Sequence, residues 1–127
     1  MKRKCDKKQL IIPVIIPEKV ILKSILDYLT AKKVFHWRQN IGSFALTDAK
    51  GNNRYFRAGT KGMSDIIAIA PDGKGQIIAI EVKSTKGKIS DDQELFLQKI
   101  QDNGGMAIVA RQLEEVISMF RDMGWVK

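Results

Sequence analysis

The chain has 127 residues, a formal charge of +8, one cysteine and one histidine. That length suits one compact core without staples. The lone Cys5 excludes an internal disulfide and, with no second Cys or paired His near it, a zinc cluster. No run of about 18 apolar residues exists to span a bilayer. The apolar stretch 10–16 behind Met1, Lys2, Arg3 and Lys4 is short, broken by Pro13, and lacks the small-residue cleavage site of a secretory signal. A reducing, cytoplasmic setting is therefore expected, with no membrane partner.

The charge is unevenly spread. Residues 1–64 carry fourteen Lys or Arg against four Asp or Glu, a net +10, whereas residues 65–127 carry eight against ten, a net −2. A concentrated positive field attracts polyanions by releasing their counterions, so nucleic acid is the natural partner. A merely solvated basic surface explains the charge equally well on that observation alone.

In chain order, residues 1–8 are almost wholly charged and aperiodic, and residues 1–16 are expected to form a basic N-terminal arm ahead of a single domain over 17–127. From Pro17, tolerated at a first helical turn, Val20, Ile21, Ser24, Ile25, Tyr28 and Leu29 recur at three- and four-residue steps, which predicts an amphipathic helix over 17–33. Residues 34–39, 43–47 and 54–57 are β-branched and aromatic runs separated by Asn40, Ile41 and Gly42 and by Lys50, Gly51, Asn52 and Asn53; short strands joined by hairpins follow. Two further apolar runs, 64–70 and 76–83, flank the turn residues Pro71, Asp72, Gly73, Lys74 and Gly75 and are predicted antiparallel neighbours. Ser90, Asp91, Asp92 and Gln93 have the form of an N-cap with its capping box, opening a helix that stops at Asn103, Gly104 and Gly105. Residues 106–110 read as a buried strand and 113–123 as a closing amphipathic helix.

Side chains on a strand alternate between faces, so Ala79, Glu81 and Lys83 share one side and Ile78, Ile80 and Val82 the other. If the two strands pair without insertion, Ala70 lies near Gln76 and Asp65 faces Glu81 beside Lys83. Two neighbouring carboxylates repel unless a cation lies between them. Mg²⁺ is commonly held by one or two carboxylates plus substrate phosphate, and the carbonyl of Val82 is placed to add an oxygen. Such an ion acidifies water and neutralises charge at phosphorus, while the Lys83 ammonium orients the water or the phosphate. The reaction this permits is phosphodiester hydrolysis. An ordinary exposed ion pair is the competing account of Glu81 and Lys83 taken by themselves.

The ordered set Gly62, Met63, Ser64, Asp65, then Ile80, Glu81, Val82, Lys83, then Gly87, Lys88, Ile89, Ser90 and Gln93 resembles the PD-(D/E)XK nucleases, and within them the virus-type replication-repair nuclease (VRR-NUC) family, over roughly residues 18–110. The resemblance implies a restriction-endonuclease-like α/β fold, a mixed central sheet flanked by helices. It also implies Mg²⁺- or Mn²⁺-dependent hydrolysis of DNA, homodimers acting on branched substrates in replication and repair, and a bacterial or phage-infected cell as the setting. By the same likeness Asp65 and Glu81 bind metal, Lys83 is catalytic, Glu18 joins from the first helix, and Gln93 belongs to the site. Relatives commonly have Pro where this chain has Ser64, a difference in backbone stiffness rather than in ligands. Gln93 has a second reading, closure of the capping box, and Glu18 a second reading, complementing its helix dipole.

Arg38 and Asn40 are expected to contact DNA backbone, as are Lys61, Lys86 and Lys88 in loops bracketing the site, although each lysine alone is more often simply solvated. Trp37 is assigned a structural place in the core. His36 has no partner set for nucleophilic or zinc chemistry. Gly59, Thr60, Lys61 and Gly62 lack phosphate-loop spacing and precede a strand, which argues against an NTPase. A nucleic-acid binding module that keeps this scaffold without cleaving is the competing class.

Overall fold

The protein is described by a computed structural model covering residues 14–39, 43–57 and 60–126. The elements run α1 (Glu18–Ala31), β1 (His36–Arg38), β2 (Ser43–Thr47), β3 (Asn53–Arg57), β4 (Ile66–Ile69), β5 (Ile77–Val82), α2 (Asp91–Asp102), β6 (Met106–Ala110) and α3 (Leu113–Asp122). The segment 1–13, which holds most of the expected basic arm, lies outside the described residues, and so does Asn40.

Four strands form a mixed sheet in the order β1-β4-β5-β6, with only the β5–β6 pair parallel. Parallel pairing requires a crossover, and α2 supplies it. The continuous apolar runs of β4 and β5 follow from burial on both faces. On one face Ile66, Ile78, Ile80 and Val82 pack with Ile21, Leu22, Ile25 and Leu29 of α1 and with Val116 and Phe120 of α3. On the other, Ile67 and Ala79 meet Leu97 of α2. This is the restriction-endonuclease-like α/β arrangement expected.

The β4–β5 register pairs Ile66 with Ile80 and Ile69 with Ile77, the insertion-free alignment that the turn residues imply. α1 begins one residue later than expected, with Pro17 as the extended N-cap rather than the first helical residue. It ends with Lys33 at φ 60, with Lys33 N–H donating to Thr30 O and Val34 N–H to Leu29 O. That is a Schellman closure whose left-handed position is filled by a lysine.

Two expectations are corrected. The first strand does not form a hairpin with the second: β1 pairs with β4, leaving β2 and β3 as a separate hairpin. α1 and β1 are tied together at Val34, which is buried in the main core, and this delivers β1 to the free edge of β4. Nor is β6 a buried strand. It is the sheet's other edge, and only Ala110 of its five residues is fully buried.

Candidate active site

The site forms where β4 begins and β5 ends. Glu81, penultimate in β5, shares the α2 face with Ala79 and is only 2% exposed. Asp65 directly precedes β4, and its Oδ2 accepts the Val82 N–H at 2.8 Å, which turns the carboxylate toward β5. N–H and C=O of one strand residue leave from the same edge, so the Val82 carbonyl also projects to the Asp65 side. Lys83 continues the strand, its N–H bonded to Ala110 O at 3.0 Å and its Nζ 3.8 Å from Glu81 Oε2. With a side chain only 15% exposed, Lys83 is not the freely solvated ion pair of the competing account.

Gln93 makes contacts in two directions, to its own helix cap and to Glu81. Its Oε1 accepts the Ser90 N–H at 2.9 Å while its own N–H donates to Ser90 Oγ at 3.1 Å, completing the capping box of α2. Its Nε2 donates to Glu81 Oε2 at 2.9 Å. The two contacts agree on the amide's orientation, because a backbone N–H needs the carbonyl end and a carboxylate needs the NH₂ end. Gln93 thus acts as a donor to Glu81, while its oxygen is engaged by the Ser90 N–H.

Glu81 Oε2 is therefore satisfied by Gln93 and Lys83, whereas Oε1 is buried without a hydrogen-bond partner. Burial, above all, pushes the Glu81 carboxyl up to about 8; the neighbouring Asp65 carboxylate adds to this, Lys83 opposes it, and Glu18 raises it further. An orphaned carboxylate oxygen beside a second carboxylate is the environment a hard divalent cation relieves. A proton on Glu81 directed at Asp65 relieves the same tension when no cation is bound.

The other expected residues are less closely gathered. Glu18 is exposed at the start of α1, and its charge reaches Glu81. Even so, no three His, Cys, Asp or Glu side chains among the described residues converge as an ion-binding group. The expected third carboxylate is thus not assembled with Asp65 and Glu81. Lys61 is paired with Asp92 of α2 at 3.2 Å, tying the loop before Asp65 to the helix that carries Gln93. Lys86 and Lys88 are exposed on the segment after β5. Arg38 is exposed too, but it pairs in register with Ile66 and so belongs to the α1 face, opposite the carboxylates. Trp37 is corrected from core to surface: it is 40% exposed.

Two residues escaped the sequence reading. Arg111 donates through its guanidinium to the carbonyls of Ser84, at 2.9 Å, and of Gly87, clamping the loop that follows Lys83. Nothing in the sequence distinguishes it from a solvated arginine. Gly62 has φ +77, and a Cβ there would lie 2.2 Å from the Asp92 carbonyl oxygen. The sequence places Gly62 in the loop before Asp65 but carries no sign of this close approach to α2.

A mixed sheet with helices on both faces, an Asp at the mouth of one central strand and Glu-x-Lys closing its antiparallel neighbour, defines a nuclease-type domain of the PD-(D/E)XK class. The chain belongs to the VRR-NUC domain family, which it matches over residues 17–112. No match to a curated protein or to a solved structure was found.

Proposed function

We propose that the protein is a divalent-metal-dependent DNA endonuclease that hydrolyses phosphodiester bonds, with branched or junction DNA in replication and repair as its substrate class. One observation carries this reading: Glu81 is buried with one oxygen unpartnered, beside Asp65. A bound Mg²⁺ or Mn²⁺ would be held by Asp65, Glu81 and the Val82 carbonyl, supplying Lewis acidity toward the phosphate and its attacking water. Gln93 keeps Glu81 turned so that Oε1 stays toward Asp65. Lys83 brings a positive charge, anchored by its main-chain bond to Ala110, to the scissile phosphate or the incoming water. Glu18 contributes charge from outside this pair. Lys61, Lys86, Lys88, Arg38 and Asn40 hold the DNA backbone, with residues 1–16 as a basic arm and residues 17–127 as the nuclease domain. A homodimer is the assembly this reading expects.

The test is a cleavage panel of plasmid, duplex, flap, four-way junction and single strands, with Mg²⁺, Mn²⁺ or EDTA, and sedimentation equilibrium for the dimer. Asp65→Asn and Lys83→Ala should each abolish metal-dependent cleavage, by about 10³-fold or more, while leaving the thermal transition in place. Binding of every substrate with cleavage of none would support the binding-module alternative.

A further inference from the structure

The α2 face of the sheet is covered unevenly. α2 packs on β5 and β6 and its Leu97 reaches Ile67 of β4, but among the described residues no helix lies over β1 on this face. This edge carries Phe35 and Trp37, which are 70% and 40% exposed, with ring centroids 5.5 Å apart. Aromatic rings left this open keep adjoining apolar surface in water, which contact with a flat apolar partner would bury.

Their position indicates which one. Trp37 pairs in register with Ile67, and Ile67 lies on the face shared by Ala79 and Glu81. Two residues along the same strand direction, Gln39 N–H donates to Asp65 O at 2.7 Å. Strand geometry then sets Trp37 about 8 Å from Asp65, two or three phosphate steps along a stacked strand. The indole N–H is already bonded to Gln39 Oε1 at 2.6 Å, which holds the ring and leaves its π faces for contact. A chain of charge +8 attracts polyanions.

We propose that Phe35 and Trp37 form a stacking platform for unpaired nucleobases next to the cleavage site, so that the substrate carries a single-stranded segment there. This rests on the nuclease reading for its location, but not for its binding. Base stacking on an aromatic side chain is insensitive to sequence, since every base offers a π face, whereas bases within a duplex are already stacked.

The test is binding in EDTA, where the metal-dependent reaction is off, by fluorescence anisotropy with single-stranded, 5′-flap and blunt duplex oligonucleotides. Trp37→Ala should weaken single-strand and flap binding by about tenfold and duplex binding by less than about twofold, and Trp37→Phe should restore most of the loss. Equal losses on all three DNAs, no loss on any, or failure of Trp37→Phe to rescue would overturn the platform. So would a change in sedimentation of Trp37→Ala without DNA, which would make the patch a contact between copies. Flap binding that depends on Trp37 without cleavage in Mg²⁺ or Mn²⁺ would sink the nuclease reading and leave the platform standing. Cleavage and flap binding unchanged by Trp37→Ala would do the reverse.

Discussion

Glu81 is a residue the fold tolerates at a cost. Its carboxyl is pushed up to about 8 from 4.5, chiefly by burial, so the native chain keeps a proton that the unfolded chain releases across that interval. Metal-free stability must therefore fall as pH rises from about 4.5 to 8, by up to about 1.4 kcal/mol per unit, and be insensitive to Glu81 below that window. Urea denaturation in EDTA should show this decline, and Glu81→Gln should flatten it, making that variant the more stable one at pH 8. If the proposed site takes the ion in its ionised native state, Mn²⁺ should restore the wild type at pH 8 without helping Glu81→Gln. Equal pH profiles for the two proteins would show that burial does not act on this carboxyl as described. The pairing of Asp65 with Glu81 was legible because alternation and an insertion-free hairpin leave one register. Exposure of Trp37 was not, because an aromatic residue in a short strand has the same local pattern whether or not a helix covers it.

The site depends on how α2 starts. Ser90 Oγ, Gln93 and the close approach of Gly62 to the Asp92 carbonyl hold the first turn of the helix against the loop leading to Asp65. Gly62→Ala adds a methyl group both into a backbone contact of 2.2 Å and at a φ of +77. It should lower stability by about 2 kcal/mol or more and reduce cleavage further than the stability loss alone explains, measured by calorimetry and by kcat at saturating DNA. At the end of α1 the opposite change helps. Lys33 occupies the left-handed position that Gly104 and Gly124 fill after α2 and α3, so Lys33→Gly should raise stability by about 1 kcal/mol. An unchanged or lowered denaturation midpoint would contradict this. Helices were read nearly to the residue because their caps are local chemistry. The partner of β1 was not, since edge choice is a long-range matter: three residues, His36 to Arg38, carry no signal for β4 over β2.

Across the molecule, the basic residues act through their sum. DNA affinity should fall steeply with salt, and Lys86→Ala or Lys88→Ala should each reduce the slope of log K against log salt by about 0.9 on duplex if each lysine neutralises one phosphate. A slope unaffected by either would mark that lysine as simply solvated. None of the described helices is long and apolar enough to cross a membrane. The order of assembly carries its own consequence. Asp65, Glu81 and Lys83 leave the ribosome well before the Ala110 carbonyl that holds the Lys83 backbone and the Arg111 side chain that grips the adjoining loop. If Asp65, Glu81 and Lys83 act as proposed, a nascent chain bearing all three still lacks the strand that aligns them, and hydrolytic competence would arrive only when synthesis has passed β6.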